Sequence, residues 1–237
     1  MGEPVLRAEW LGEVPYDAAW RLQRRVAEQR RAGAVEDRLL LVEHPPVYTM
    51  GRGGETRHLG DGPDALRAAG ADYVEVDRGG SVTFHGPGQL VAYPILRLAD
   101  VFPIAGHPAH GDVVRYVRAL EEAVIATAEG LGISVGRRPP FTGVWLGTAK
   151  LAAIGVKLAG GVTMHGLALN VCTDLSWFAK VTPCGIDGAT ATSLAALGAV
   201  GLTPRDVAPR VAGELSRVFG RRLELTEPAP GATSAAA

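Results

Sequence analysis

Lys150 and Cys184 are the two residues of this chain best suited to act together, as a cation and a thiol. Cys184 lies in Thr182-Pro183-Cys184-Gly185. There the proline fixes φ on one side and the glycine frees the backbone on the other, a turn that presents the sulfur to solvent or to a cleft. The second cysteine, Cys172, ends the apolar run Gly166-Leu167-Ala168-Leu169-Asn170-Val171 and is expected to be buried. A thiol with a reference pKa of about 8.5 is only a few per cent thiolate at neutral pH. Cys184 therefore needs a neighbouring cation or base before it can attack anything. Lys150, Lys157 and Lys180 are the candidates for that neighbour. Positions 150 and 157 are an odd number apart, so on a regular strand they point to opposite faces and only one lines a pocket.

A second concentration of chemistry is Arg78-Gly79-Gly80-Ser81-Val82-Thr83-Phe84-His85-Gly86-Pro87-Gly88-Gln89, two glycine turns around one short strand. It reads either as a cradle whose backbone amides approach a ligand, with Arg78 and His85 as polar ends, or as two hairpin turns with an arginine at the rim. It is neither a P-loop, since no GK[ST] follows, nor a dinucleotide-binding fingerprint. Gly132-Ile133-Ser134-Val135-Gly136 matches GxSxG, but a helix precedes it and Arg137-Arg138-Pro139-Pro140 follows, so the strand and helix of a nucleophile elbow are missing. His44, His58, His107 and His110 read as surface or loop residues, and no metal is assigned to the His107/His110 pair. His85 and His165 each read as ending a strand before a glycine, lining a cleft or satisfied in the core.

Three amphipathic helices must hold these residues in place. The clearest starts after Asp112, carries Val113, Val117, Leu120, Val124 and Ala128 on one side and stops near Gly130. Another covers about 15–31, and a third starts at Thr203-Pro204 and stops near Gly220. Strands are expected at 39–43, 73–76, 82–85, 89–98, 143–146, 151–158 and 164–171, several joined by links too short for a crossover helix. The class is therefore α+β, with a mixed, largely antiparallel sheet and packed helices. A single domain over 1–226 is expected, with its motif core at about 39–197 and a small C-terminal helical part at about 198–226. The proline- and alanine-containing tail at 227–237 is expected to be disordered.

Twenty-four basic residues against 25 acidic ones leave a formal charge of −1, which gives no electrostatic case for nucleic acid or an anionic membrane. Two cysteines without CxxC spacing suggest neither a disulfide framework nor zinc. Together with an N-terminus that lacks the apolar stretch of a signal peptide, they suggest a cytoplasmic setting. The longest apolar stretch is broken by Lys157 and glycines, so no membrane span is expected.

The glycine-rich segment, Gly143-Val144-Trp145, Lys150-Leu151-Ala152-Ala153-Ile154-Gly155-Val156-Lys157, His165-Gly166-Leu167-Ala168-Leu169-Asn170 and Pro183-Cys184-Gly185 together resemble the lipoyl(octanoyl) transferases of lipoate biosynthesis. The resemblance covers roughly 39–197, in order and spacing. It implies a fold like the catalytic domain of biotin and lipoate protein ligases. It also implies a reaction, transfer of octanoyl from octanoyl-acyl carrier protein to a lysine of lipoyl domains, the first step of endogenous protein lipoylation. The implied acceptors are the E2 subunits of 2-oxoacid dehydrogenases and the glycine cleavage H protein, and no cofactor is implied.

By the same resemblance the acyl group is carried as a thioester on Cys184, and Lys150 lowers the pKa of that cysteine. Substrate contacts are implied for Arg78, Gly79, Gly80, Ser81, Val82, Thr83, Phe84 and His85, for Ala153, Ile154 and Gly155, and for Gly166, Leu167 and Ala168. Burying about seven methylene or methyl groups at roughly 0.8 kcal/mol each gives an upper estimate of about 5 to 6 kcal/mol for chain binding. One methylene changes that little, so length selection needs a closed pocket end, for which Val82, Phe84 and Ile154 are candidates. The link at 104–111 looks longer than is usual in the family, which bears on partner docking. The alternatives are an ATP-dependent lipoate- or biotin-type ligase and a non-catalytic module that docks carrier proteins.

Overall fold

The computed structural model describes residues 3–181 and 188–226. Its main sheet, among the described residues, has nine strands. Eight of them run in the order β14 (Arg222–Thr226), β1 (Val5–Glu13), β2 (Asp37–Glu43), β6 (Gln89–Ile95), β12 (Val162–Asn170), β11 (Ala149–Ala159), β10 (Phe141–Leu146), β9 (Gly136–Arg138). The ninth, β13 (Thr190–Ala191), pairs with β11. Pairing is parallel at β1/β14, β1/β2 and β11/β13 and antiparallel everywhere else, so the α+β class with a mixed, largely antiparallel sheet is as expected. A smaller sheet orders β4 (Asp72–Glu75), β3 (Val47–Met50) and β5 (Val82–His85).

Burial explains the layering. Every residue of β6 and of β12 is buried, because both faces of these central strands are covered. On one face, Leu39, Leu41, Leu90, Ala92, Leu167 and Leu169 meet α3 (Val113–Glu129) and α4 (Pro204–Phe219) through Tyr116, Leu120, Val124, Val207, Val211 and Leu215. Each of the leucines and valines buried here contributes roughly 1.5 to 3 kcal/mol relative to exposure. On the other face, Ala19, Val26 and Ala27 of α1 (Tyr16–Arg31) cover Val91, Tyr93, Met164 and Ala168.

The helix ends follow their capping chemistry. Asp112 accepts from the amide of Arg115, and Thr203 with Asp206 forms a capping box ahead of Pro204. Gly220 closes α4 in the left-handed region.

The link at 104–111, read as long, forms a hairpin of β7 (Pro103–Ile104) and β8 (His107–Gly111). Two expectations about strands need correction. The segment 89–98 is strand only to Ile95, after which Leu98–Asp100 turns as a short 3-10 helix. The strand β1 has no expected counterpart, because the polar residues of VLRAEWLGE interrupt a clean alternation. It is held by backbone pairing to two neighbours. The tail at 227–237 lies outside the described residues.

Candidate active site

The strand β5 of the small sheet faces β6, β11 and β12 of the large one, and a groove lies between them. Its lining takes Arg78, Gly80, Ser81, Val82, Thr83 and His85 from the glycine-rich segment, Ala153, Ile154 and Gly155 from β11, and Gly166, Leu167 and Ala168 from β12. Tyr16, Val91, Tyr93 and His165 complete it around about 450 Å³ of empty space, counted out to solvent. The β11 and β12 residues meet through the register Ala153↔Ala168, Ile154↔Leu167 and Gly155↔Gly166, and the glycine-rich segment is tied to them by the Gly79 amide, which donates to the Val156 carbonyl oxygen at 2.9 Å. Gly166 has to be glycine, since a Cβ there would lie 2.2 Å from the carbonyl oxygen of Ala92 on the adjacent strand.

Of the substrate-contacting residues expected from sequence, Gly79 and Phe84 do not line this groove. Gly79 borders a neighbouring depression with Lys150 and Thr142. Phe84 alternates to the opposite face of β5, where it stacks on Trp177 at 5.1 Å and packs on Tyr48 and Phe178. It is therefore no candidate for the pocket end.

Arg78 anchors the glycine-rich turn from inside. Its Nη2 donates to the Thr49 carbonyl oxygen at 2.7 Å and to Thr49 Oγ1 at 2.8 Å, and its Nη1 donates to the carbonyl oxygens of Gly79 and Ser81 at 3.0 and 2.9 Å. With 6% of its surface exposed, it shapes the turn as much as it charges the groove.

Lys150 is 8% exposed, and its ammonium lies 4.5 Å from the centre of the Trp145 ring. It borders a recess shared with Thr83, Gln89, Ala153, Ala168 and Asn170, at one end of the groove. The parity expectation for Lys150 and Lys157 does not hold. Opposite β10, the register steps from Val144↔Ala152 to Trp145↔Lys150, so β11 carries one extra residue at Leu151. Such a bulge re-aims the side chain beyond it. Lys150 thus comes to the same side as Ala153, while Lys157 alternates regularly with Ala153 and Gly155. Both lysines flank the groove, Lys157 through an ion pair with Asp77, which also bonds His165. The third candidate, Lys180, is exposed.

A hydrogen-bonded chain runs beneath the Lys150 end. Nδ1–H of His85 donates to Gln89 Oε1 at 2.8 Å, Gln89 Nε2 donates to Asn170 Oδ1 at 2.9 Å, and Asn170 Nδ2 donates to the Thr192 carbonyl oxygen at 2.9 Å. The amide of Thr192 in turn donates to the carbonyl oxygen of Lys150 at 3.0 Å. Burial pushes His85 well below its ordinary value, so it is a neutral ring.

His44, expected in a loop, is buried, and His165, expected to line a cleft or sit satisfied in the core, is buried and borders the groove, though within β12 rather than at a strand end. The carbonyl oxygen of Val14 accepts from Nδ1–H of His44 at 2.6 Å, which leaves Nε2 to accept from the Tyr93 hydroxyl at 2.7 Å. His165 lies within β12 with φ of 56°; its Nε2–H donates to Asp77 at 2.9 Å and its Nδ1 faces the Tyr16 hydroxyl at 3.4 Å. Burial lowers His44 and His165 to about 4 each, the latter against the opposing pull of Asp77. The role of Tyr16 had a faint signal in sequence. It starts the buried stripe Tyr16, Ala19, Gln23, Val26, Ala27 of α1, in which a buried glutamine is out of place for plain packing.

The proposed nucleophile Cys184 lies outside the described residues. Cys172, expected in the core, is exposed, and partial burial together with the charge of Glu43 pushes its thiol up, away from nucleophilic character.

The groove can hold a slender, largely apolar molecule with its reactive end beside an amine. Residues 15–216 match the family model of the lipoyl protein ligase A/B catalytic domain. The chain is 50% identical over 185 residues to an octanoyltransferase of Rubrobacter xylanophilus, covering 77% of this chain and 79% of that protein. It is 47% identical over 227 residues to an octanoyltransferase of Solibacter usitatus, covering 96% of each. Among solved structures, a putative lipoate protein ligase from T. acidophilum with bound lipoic acid superposes with a TM-score of 0.71 at 16% identity, over 98% of this chain and 92% of that one. A biotin protein ligase from Aquifex aeolicus, in complex with biotin and ATP, superposes with a TM-score of 0.54 at 16% identity, over 90% and 70%. These two likenesses are of fold.

Proposed function

We infer, from the premise that this chain belongs to the lipoyl protein ligase A/B catalytic-domain family, that it is an acyltransferase which moves an octanoyl group in protein lipoylation. The donor is an acyl carrier and the acceptor a lipoyl domain. More finely, the donor is octanoyl-acyl carrier protein, and the acceptor lysines belong to E2 subunits of 2-oxoacid dehydrogenases and to the glycine cleavage H protein. The reaction takes place in the cytoplasm, within a single catalytic unit over 1–226. The observation that carries this reading is the groove itself, which gathers Arg78, Ser81, Ile154, Gly155, Gly166 and Ala168 into one wall with Lys150 at its end.

The mechanism we propose has two displacements. The Cys184 thiolate, favoured by the Lys150 ammonium, attacks the carbonyl carbon of the carrier thioester; a new C–S bond forms and the carrier thiolate leaves, to be protonated. Lys150, which loses its anionic partner when the cysteine is acylated, gives its proton to the departing carrier thiolate and becomes a neutral amine. The acceptor amine then attacks the acyl-Cys184 carbonyl. The acceptor's C–N bond forms as the C–S bond to Cys184 breaks, and the acceptor's proton passes to Lys150, which restores the ammonium–thiolate pair. Backbone amides of the glycine-rich segment are oxyanion donors in this scheme.

The test is intact mass after mixing the protein with octanoyl carrier and no ATP. One octanoyl increment on wild type, its absence in Cys184→Ser, and passage of the increment to a lipoyl-domain lysine are expected. An increment that requires ATP makes the protein a ligase, and free octanoic acid with an unmodified acceptor makes it a thioesterase. Binding of carrier without any covalent change makes it a docking module.

A further inference from the structure

The groove has a direction. On β6, Gln89, Val91 and Tyr93 alternate onto one face, and the register pairs Asn170↔Gln89 and Ala168↔Val91, which brings Tyr93 alongside Gly166. Gln89 and Asn170 share the recess that holds Lys150, whereas Tyr93, Gly166 and His165 line the groove away from it. Four residues at about 3.3 Å each separate the two ends by roughly 13 Å. Bonds of about 1.5 Å at tetrahedral angles advance about 1.25 Å each, so the seven bonds of an extended eight-carbon chain span about 9 Å. A chain tethered near Lys150 therefore ends close to Tyr93.

What stands there is stiff. The Tyr93 hydroxyl donates to His44, and His44 is itself committed to the Val14 carbonyl oxygen. The Tyr16 ring stacks on His85 with centroids 5.9 Å apart and packs on His44 at 5.2 Å. Pushing Tyr93 aside would strand a buried hydroxyl and a buried imidazole nitrogen, each worth about five- to 150-fold in equilibrium. Two further methylenes gain only about fifteenfold. The wall therefore outlasts the chain that presses on it.

We propose that Tyr93, pinned by His44 and backed by Tyr16, is the stop that sets acyl chain length. Tyr93 touches the chain end, and His44 is a positioning residue that acts through it. The proposal rests on the acyl-transfer reading of the groove and adds which residues select among acyl groups. Val82 and Ile154, considered from sequence as a pocket end, border the groove but pack behind it, Val82 with Phe84 and Ile154 against the helical layer.

The test is a competition among hexanoyl, octanoyl, decanoyl and dodecanoyl carriers, scored as ratios of kcat/KM so that the folded fraction cancels. Tyr93→Ala should raise the decanoyl-to-octanoyl ratio at least tenfold. Tyr93→Phe, which keeps the ring and the fold but loses the pin, should raise it about threefold, and His44→Asn should move it in the same direction. Ratios within twofold of wild type in Tyr93→Phe and Tyr93→Ala, with octanoyl transfer still measurable, overturn the length stop and leave the acyltransferase reading intact. If Tyr93→Ala does not fold, the ratio in Tyr93→Phe decides by itself. A wild type that transfers no acyl group of any length overturns that reading, and the length stop with it.

Discussion

Lys150 and Trp145 are register partners across β10 and β11, and the lysine ammonium sits 4.5 Å from the centre of the indole ring. The same ring carries the Arg138 guanidinium of the edge strand β9 at 5.3 Å, so one indole organises two cations. A cation–π contact of this kind contributes about 0.5 to 2 kcal/mol. Trp145→Leu is therefore expected to slow acylation of the protein by about two- to thirtyfold, with Trp145→Phe between the two. Single-turnover acylation measures this. An unaltered rate in a folded Trp145→Leu protein removes the ring from any role in placing the amine.

Arg78→Lys is not conservative here. The guanidinium makes four hydrogen bonds from two nitrogens to Thr49, Gly79 and Ser81, a fork that an ammonium cannot reproduce. Stability should drop by about 1 to 3 kcal/mol, and acyl transfer should fall because the turn that forms the groove wall loosens. Urea midpoints and octanoyl transfer, compared with exposed Arg52→Lys, give the answer. Equal behaviour of the two variants contradicts it.

Glu121, fully buried on α3, accepts from Arg118 at 2.6 Å, Arg137 at 2.9 Å and the amide of Gly143 at 3.0 Å. It ties the helix to β10 at the glycine next to which Lys150 extends. Glu121→Ala should cost about 3 kcal/mol, near the lower end for breaking a buried pair because both arginines are partly exposed. Glu121→Gln should cost less, since an amide oxygen still accepts from Gly143. A midpoint shift in Glu121→Gln as large as in Glu121→Ala would mean the carboxylate charge, rather than the bond to Gly143, holds the strand.

Acid should weaken the fold earlier than carboxylate titration alone would. His44 and His165 are lowered by burial from 6.5 to about 4, so between those values the unfolded chain binds protons that the folded one does not. Stability is therefore full above about pH 6.5 and is lost as pH falls toward 4, by about 2 kcal/mol for each histidine at pH 5. Urea unfolding at pH 7.5 and pH 5, for wild type and His44→Gln, tests the sign and the size. A wild-type midpoint unchanged between those pH values contradicts the buried neutral state.

Local chemistry made the helices legible. Asp112, Thr203 with Pro204, and Gly220 lie where α3 and α4 begin and end, because caps act within one turn and can be read in a short window. The groove was legible in its motifs for a related reason: glycines and alternating small residues mark close approach, and twelve of the implied contacts line one wall. The pocket end was not legible. That Val14 O and Tyr93 Oη converge on His44 depends on contacts between segments 30 and 49 residues apart, which no local pattern encodes. Phe84 and Cys172 were misjudged because apolar character does not tell which side of a strand, or which side of a turn, meets the core. The strand parity of Lys150 failed on a single extra residue, which alternation rules assume absent.

That extra residue makes the spacing around Leu151 as consequential as any side chain. Deleting one position between the β10/β11 turn and Ala152 would restore perfect pleating and, in doing so, swing the amine toward the helical layer. Loss of Leu151 alone would leave the net charge, Lys150 and the groove-lining residues of β11 in the sequence while turning the amine proposed to serve Cys184 to the wrong side of the sheet.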